Sequence, residues 1–292
     1  MKRVDVVVLG RGKVGCTLAR AWRARGWKVA LRKGTSRTVP PADLLVMAVP
    51  DGAIEACAVR VAESAASAGV TAAVHCAGAL SAAALRALAG RGIPVAQMHP
   101  LVSFARRGAR LPEHGAVLVQ GDRVAVAQAK RAVRVLGLVP ISGPVDPGAY
   151  HAAAALVSNG AVALVAAAAN LLVAAGLRRC DAGKWLGPLL ASTGNNVTSE
   201  GLPGALTGPV RRGDAATVAR HRDVIAATCP EHLALFRELV VTQLDVARLI
   251  PADERAPRAA LEAIATLMAT SGGLTVSVGA RRRTKPAARS RI

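Results

Sequence analysis

Two histidines are the side chains in this sequence best suited to move a proton. His99 directly follows the apolar run Pro94–Met98, and His151 lies in an apolar stretch that runs from residue 149 to residue 177. Because imidazole titrates near neutral pH, either ring could serve as a general acid or a substrate anchor. Each could equally be a structural histidine with one satisfied hydrogen bond. The sequence leaves both interpretations open.

Asn159 is the third candidate catalytic side chain. In a helix, His151, Ala155 and Asn159 fall at positions i, i+4 and i+8 and therefore line one side. Polar groups on an otherwise apolar helix need either partners or a ligand. The alternatives are a ligand-binding side of the helix and a set of satisfied core residues.

A glycine-rich turn near the start of the chain has the spacing of a dinucleotide site. The apolar run Val4–Leu9 precedes a Gly-x-Gly-x-x-Gly pattern, and a helical stretch follows it. The first glycine makes the turn, the second admits a pyrophosphate, and the third lets the helix pack on the strand. The residues expected to bind the cofactor here are Gly10, Arg11, Gly12, Lys13, Val14 and Gly15. The alternative is a strand-to-helix turn without a ligand.

The end of the second predicted strand favours NADP over NAD. An NAD-binding protein places an acidic residue there for the ribose 2′-hydroxyl, whereas cations at this point suit a 2′-phosphate. This sequence has three cations and a hydroxyl: Arg32, Lys33, Ser36 and Arg37. A guanidinium can hold two phosphate oxygens at once. The alternative is a solvated basic loop in an already basic protein.

The next buried strand ends at a second stretch that we expect to contact the cofactor. The predicted strand runs from Leu44 to Pro50, and Val49, Pro50 and Asp51 would lie at the carboxyl end of the sheet. The ribose and nicotinamide of a dinucleotide normally rest at that edge. Asp51 could also be the N-cap of the following helix, and this does not exclude cofactor contact.

The order of predicted elements indicates an α/β protein. Strands and helices alternate through the first half, which predicts a mostly parallel sheet covered on both faces. From about Pro147 onward the pattern is helical, and we expect an all-α second domain. The predicted division is a nucleotide-binding domain over residues 1–146, a helical domain over 147–278, and a basic, disordered tail over 279–292.

The apolar stretch 149–177 is long enough to span a bilayer. Its histidine and asparagines, its many alanines and the nucleotide-binding half before it favour a buried central helix of a soluble protein. We therefore expect no membrane association.

The loop 206–214, later in the chain, has the residues of a linker between helices and supplies donors for an anion.

Composition narrows the class of protein. The 292 residues carry a formal net charge of +20, and six of the positive charges lie in the tail. A basic surface suits nucleic acid or phosphorylated ligands, but 2% aromatic residues leave little for bases to stack on. The five cysteines have no metal-ligand or disulfide spacing, so we expect no metal site, reduced thiols and a cytoplasmic protein.

Five motifs resemble a family of Rossmann-like proteins that carry the C-terminal domain of unknown function 2520. They are GRGKVG from Gly10, AVPD from Ala48, HPLVSF from His99, YHAAAALVSN from Tyr150 and LTGPVRRGD from Leu206. The family is related to the 6-phosphogluconate and β-hydroxyacid dehydrogenases, the pyrroline-carboxylate reductases and the deazaflavin-dependent NADP reductases. The resemblance implies an NADP-binding domain, a helical dimerisation domain and a substrate cleft between them, but it supplies no substrate.

One position departs from these relatives. In the β-hydroxyacid dehydrogenases a lysine lies four residues before the helix asparagine, and the corresponding residue here is Ala155. Either His151 or His99 replaces that proton donor, or the chemistry needs no lysine, as in imine reduction, or catalysis has been lost.

The resulting hypothesis is an NADP-dependent oxidoreductase that transfers a hydride to or from a small anionic metabolite. The metabolite would be held between the two domains of the chain, and the helical domain would form a homodimer. The residues expected to orient the substrate are Ser103, Asn195, Thr207 and Arg211. The alternatives are a non-catalytic NADP-binding sensor or scaffold and, third, a nucleic-acid-associated protein that uses the tail.

Overall fold

The structure is a computed structural model that describes residues 4–269. Seven strands form its sheet: β1 (Val4–Leu9), β2 (Val29–Arg32), β3 (Ala42–Met47), β4 (Ala72–His75), β5 (Val95–Pro100), β6 (Ala116–Gly121) and β7 (Val139–Ile141). Their order across the sheet is β2-β1-β3-β4-β5-β6-β7. Every neighbouring pair is parallel except β5 and β6, which are antiparallel. The predicted mostly parallel sheet is confirmed.

Four helices accompany the sheet: α1 (Lys13–Arg23), α2 (Ile54–Ser67), α3 (Arg86–Ala89) and α4 (Arg123–Val135). Alternate residues of β1 enter different cores, because successive side chains of a strand point to opposite faces. Val6 and Val8 pack in one apolar cluster with residues of α1 and α4. Val7 and Leu9 pack in another with residues of α2 and α3. The continuous apolar run of β1 is thus that of a strand buried on both faces.

The remaining helices are α5 (Pro147–Ala174), α6 (Arg179–Ala205), α7 (Gly208–Arg212), α8 (Ala215–Thr228), α9 (Leu233–Arg248) and α10 (Arg258–Ala269). The expected all-α second region is confirmed. Val210, Val218, Leu244 and Ile264 belong to the apolar cluster of this region. Asp214 caps α8, since its Oδ1 accepts a hydrogen bond from the Thr217 amide at 3.0 Å.

Two local expectations differ from the structure. The presumed linker 206–214 contains the short helix α7, because Pro209 suits the first turn of a helix and Gly213 ends it in a left-handed conformation, with φ of 70°. His99 lies within β5 instead of just past it, since β6 extends the pairing as far as Pro100.

The chain divides into two compact units, and the division falls within α5, between Ala161 and Val162. The predicted domain boundary at residues 146 and 147 coincides with the start of α5. The first turns of that helix, with Tyr150 and His151, thus belong to the unit that contains the sheet. The expected basic tail, 279–292, lies outside the described residues.

The expectation that the long apolar helix is buried is wrong for the single chain. Helix α5 is long and apolar enough to cross a membrane, with a mean hydropathy of 1.9 in its 18-residue window, yet only 11% of that window is buried. Leu156, Val157 and Val162 are each more than 70% exposed. A long run of apolar residues in a sequence indicates that a helix needs an apolar partner, but it does not identify that partner. Length and composition alone are weak evidence for a membrane span.

Burial in the sheet predicts where the loss of a valine's two methyl groups lowers stability. Val46, in the middle of β3, is completely buried, whereas Val59, on α2, is 67% exposed. We expect Val46→Ala to lower the free energy of unfolding by about 1–3 kcal/mol and Val59→Ala to change it by less than about 0.5 kcal/mol. Urea denaturation followed by tryptophan fluorescence in a Trp185→Phe background measures this, because Trp22 and Trp27 both lie in the first unit. Equal effects of the two substitutions would contradict the assigned packing of β3.

Candidate functional site

The glycine-rich turn has the backbone that a pyrophosphate site requires. Gly10 has φ of +118°, and a Cβ there would clash with the carbonyl oxygen of Ala48 on the neighbouring chain segment. A Cβ on Gly15 would clash with the carbonyl oxygen of Gly10. Gly12, by contrast, faces open space and forms the N-cap of α1, whose first turn carries no acidic residue. The amides at the start of α1 are therefore open to an anion.

The basic loop lies beside this turn. Gly34, within the loop, packs so closely on Val49 that a Cβ would stand 2.6 Å from its Cγ1 atom. Arg32, Lys33 and Arg37 are exposed, and Ser36 is half-buried. No carboxylate among residues 4–269 forms an ion pair with these three cations. Their charges are thus available to a phosphate.

Arg60 is a residue of this region that the sequence did not indicate. Its guanidinium reaches from α2 and donates to the Gly34 carbonyl at 2.5 Å, and the Cys57 thiol contacts the same oxygen at 3.5 Å. These contacts fix the middle of the basic loop. The relevant clue was the helical spacing of Cys57 and Arg60, which does not reveal the loop as their partner.

Asp51 does not cap a helix. It begins a 3₁₀ turn, Asp51–Ala53, and makes no capping hydrogen bond there, and α2 begins after it. Val49, Pro50 and Asp51 follow β3, and Asp51 is exposed. Its carboxylate acts instead on nearby imidazoles, since its charge helps to stabilise the protonated forms of His75 and His99.

The structure brings His99 and His151 together. Their rings meet edge to face with centroids 5.2 Å apart, and the Tyr150 ring lies 5.9 Å from that of His99. His99 Nδ1 lies 2.8 Å from the Cys76 carbonyl oxygen, so this nitrogen carries the hydrogen and donates it. The lone pair of the neutral ring then resides on Nε2. His151 Nδ1 is buried and has no hydrogen-bond partner among the described residues.

Burial is the main influence on the acids and bases of this cluster. It lowers the pKa of His99, the Cys76 carbonyl opposes that shift, and His151 lowers the pKa further. Burial likewise lowers the pKa of His75 and raises that of Tyr150. It raises the pKa of the Cys76 thiol to about 12, so this thiol is not a nucleophile at neutral pH. Neutral imidazoles at physiological pH follow for His75 and His99.

Tyr150 is the second residue that sequence reasoning missed. It is the only tyrosine in the chain and directly precedes His151. Its ring packs against His99 because the first turn of α5 carries it to the end of β5. Adjacency to His151 was the available clue, but which ring it would contact depends on where the helix begins.

The other predicted site residues are not part of this cluster. Asn159 lies eight residues after His151 on α5, a rise of about 12 Å along the helix, and it is exposed. Ser103 is exposed in the segment after β5. Asn195, Thr207 and Arg211 lie in the second unit. Arg211 donates to the Pro203 carbonyl at 2.9 Å, which gives it a structural bond there.

Asn170 is a satisfied polar residue of α5. Its amide nitrogen lies 2.8 Å from His232 Nε2, and its oxygen accepts from Arg179 at 2.7 Å. The nitrogen and the oxygen of the Asn170 side chain are therefore both satisfied by partners. Within residues 4–269, no three His, Cys, Asp or Glu side chains are grouped so as to hold a metal ion.

Comparison with known families agrees with two of the five motifs, those that begin at Tyr150 and Leu206. Residues 116–243, from β6 into α9, match the family described as Domain of unknown function (DUF2520). The family resemblance is confirmed over this part of the chain. No curated protein matches the chain in sequence.

Solved structures share the fold at low sequence identity. Protein TM1727 from Thermotoga maritima is 21% identical and has a TM-score of 0.64, over 84% of this chain and 98% of that one. BF3122 from Bacteroides fragilis, provisionally assigned as an NADP oxidoreductase, is 20% identical with a TM-score of 0.61, over 82% and 98%. A reductive aminase from Aspergillus terreus, in complex with NADPH and ethyl levulinate, is 14% identical with a TM-score of 0.54, over 92% and 99%.

The buried imidazoles predict a loss of stability in acid. A histidine whose pKa is lowered by folding binds more protons when unfolded, so stability falls as the pH drops through the ordinary value of about 6.5. His75 Nε2 lies 2.9 Å from the Ser81 carbonyl oxygen. A glutamine side chain at this position could donate to that oxygen without titrating, so we expect His75→Gln to lose less stability than the wild type between pH 7.5 and 5.

Urea denaturation at the two pH values measures this difference. The matched control is His221→Gln, because His221 is exposed on α8. It should retain the wild-type loss of stability. Equal acid sensitivity of His75→Gln and the wild type would contradict a neutral, buried His75.

Proposed function

We propose that this protein is an NADP-dependent oxidoreductase that transfers a hydride to or from a small anionic metabolite. The observation that carries the proposal is the His99–His151 pair at the carboxyl end of a sheet whose first strand ends in an open glycine turn. A proton-transfer group and a dinucleotide site thus share one edge. Hydride transfer to a carbonyl or an imine needs both.

The residues of the first unit fit a phosphorylated dinucleotide. Gly12 leaves room for a pyrophosphate at the start of α1, and the nearby loop presents Arg32, Lys33 and Arg37 without carboxylate partners among the described residues. Ser36 adds a hydroxyl, and Arg60 holds the loop in place through the Gly34 carbonyl. Val49, Pro50 and Asp51 would line the path toward the nicotinamide. These contacts favour NADP because a 2′-phosphate needs cations where NAD needs a carboxylate.

A bound nicotinamide would supply or accept the hydride. The chain's own contribution is the proton. In the direction of oxidation, Nε2 of neutral His99 would accept the proton of the substrate heteroatom, while Nδ1 keeps its bond to Cys76. In the direction of reduction, His99 would first take a proton from solvent at Nε2, then give it to the substrate heteroatom and become neutral again. His151 lies close enough to disfavour a second positive charge, which suits a site that handles one proton per turnover.

The structural relatives support the cofactor class and no finer conclusion. BF3122 is described as an NADP oxidoreductase, and the Aspergillus terreus enzyme binds NADPH as a reductive aminase. Identities of 20% and 14% limit the likeness to the fold. Asn159, Ser103, Asn195, Thr207 and Arg211 stay proposals as substrate-orienting residues.

A non-catalytic NADP-binding sensor or scaffold is the second candidate. Ala155, at the position of the dehydrogenase lysine, favours it because a methyl group cannot donate a proton. Turnover distinguishes the two candidates. Oxidation of NADPH with any member of a panel of keto acids and imines supports the enzyme, and tight binding without turnover supports the sensor.

Cofactor choice is testable by calorimetry with NADPH and NADH. We expect NADPH to bind more tightly, and Arg37→Ala to weaken NADPH binding about tenfold while leaving NADH binding nearly unchanged, because one charge-assisted bond to the 2′-phosphate is lost. The control is Arg86→Ala, since Arg86 is exposed but paired with Glu55 at 2.8 Å. A preference for NADH would overturn the role of the basic loop, and binding of neither cofactor would overturn the proposed function.

We also propose a homodimer through the helical region, in the cytoplasm and without membrane association. Only Asp181 and Ala182 are buried along the 27 residues of α6. Leu189 and Leu202 on this helix are more than half exposed. The exposed apolar side chains of α5 and α6 are the surfaces that a second copy would cover. The nucleic-acid-associated role through the tail stands third, and no described residue bears on it.

Light scattering after size-exclusion chromatography tests the dimer. The wild type should elute without detergent at about twice the chain mass of 29.7 kDa. Leu189→Asp should shift the population toward monomer, because a buried, unpaired carboxylate is costly in an interface. Val59→Asp is the control, since Val59 is similarly exposed on α2 of the other unit. A wild-type monomer would overturn the dimer, and recovery only from the detergent-extracted membrane fraction would favour a membrane span.

A further inference from the structure

Gln97 is a fully buried polar residue that the proposed chemistry does not use. It lies on β5, two residues before His99, so both side chains point to the same face of the sheet. His75 on β4 and Gln120 on β6 are its register partners on that face. A buried amide needs all of its hydrogen-bonding groups satisfied, and its partners therefore indicate what it does.

The partners of Gln97 are two successive carbonyls of one loop. Its Nε2 donates to Ala77 and Gly78 at 2.9 Å each, and its Oε1 accepts from Gln120 Nε2 at 3.1 Å. Two carbonyl acceptors on one side require the NH₂ group there, which fixes the orientation of the amide. Gln97 thus holds the backbone immediately after β4.

Both imidazoles contact this backbone segment. The Cys76 carbonyl binds His99 Nδ1. Gly78 faces His151 so closely that a Cβ would stand 2.6 Å from its Cγ and 2.9 Å from its Cε1. The segment 76–78 is otherwise tied to the sheet by the bond from the Cys76 amide to the Met47 carbonyl, at 3.0 Å. A shift of this segment would move the partner of one ring and the neighbour of the other.

We propose that Gln97 is a positioning residue for the His99–His151 pair: by holding the Ala77 and Gly78 carbonyls, it keeps His99 in the Nδ1–H form and leaves Nε2 as the atom that exchanges the proton. This inference rests on the proposed function, because it assigns Gln97 a role at that same site. Gln97 itself contacts neither imidazole by a hydrogen bond. Its effect passes through the loop.

Nitrogen-15 NMR of the imidazoles tests the proposal on full-length protein, because the chemical shifts of Nδ1 and Nε2 report which one carries hydrogen. The six histidines can be assigned by single substitutions. In the wild type His99 should be the Nδ1–H tautomer. In Gln97→Leu we expect a mixture of the two tautomers of His99 and an altered titration of that ring. Asp51, His75 and Tyr150 also act on this cluster and remain unchanged in that variant.

Val46→Ala is the control for loss of stability alone, and it should leave the His99 tautomer as in the wild type. Gly78→Ala is the second variant, in case Gln97→Leu does not fold. Its added methyl group must displace either the loop or His151, so the signals of both imidazoles should change. If folded Gln97→Leu keeps the wild-type tautomer and titration, or if Gly78→Ala leaves both rings unchanged, the positioning role is wrong.

Calorimetry with NADPH separates this result from the proposed function. Gln97→Leu should bind NADPH within about threefold of the wild type, because the glycine turn lies at the end of β1, away from Gln97 on β5. If the tautomer changes in Gln97→Leu but the wild type binds no NADPH, the positioning role stands and the proposed oxidoreductase is wrong. If the tautomer does not change but the wild type binds NADPH, the positioning role is wrong and the proposed oxidoreductase stands.

Discussion

Parallel pairing of β1, β3, β4 and β5 is the constraint on which the candidate site depends. Parallel strands end at the same edge of a sheet, so residues at the ends of four separate strands meet there although they are distant in sequence. The glycine turn, the segment from Val49 to Asp51, the carbonyl of Cys76 and the ring of His99 all reach this edge. Two close backbone contacts, Gly10 with Ala48 and Gly15 with Gly10, hold the first of these in place.

Buried polar groups give the site its chemical character. The sheet places His75, Gln97 and His99 on one face near its edge, where the segment after β4 and the first turn of α5 lie over them. Each of the three bonds to a backbone carbonyl of the segment between β4 and α3, at Ser81, Ala77 with Gly78, and Cys76 respectively. A polar layer of this kind costs free energy unless its groups are satisfied. Most of the other buried side chains in the first unit are apolar.

The second unit presents a different balance of forces. Helices α7 to α10 share an apolar cluster, but α6 is nearly all exposed and α5 has only 11% of its most apolar window buried. Helical stability in water comes mainly from packing an apolar face, and most apolar side chains of these two helices are exposed in the single chain. This is the physical reason for expecting a second copy to cover them.

Much of the architecture was determined by the sequence alone. The β-branched run Val4–Leu9, the glycine spacing after it and the alternation of strands and helices specify the parallel sheet, because each depends on local sterics and periodicity. The cations at the end of β2 followed from local chemistry in the same way. Tertiary structure alone decided which distant groups meet: His99 with His151 and Tyr150, Arg60 with the Gly34 carbonyl, and Gln97 with Ala77 and Gly78. It also decided that α5 is exposed, since periodicity reveals an apolar surface but not its partner. Such contacts depend on the order of strands in the sheet and on the residue at which a helix begins. Neither can be predicted from the periodicity of one sequence.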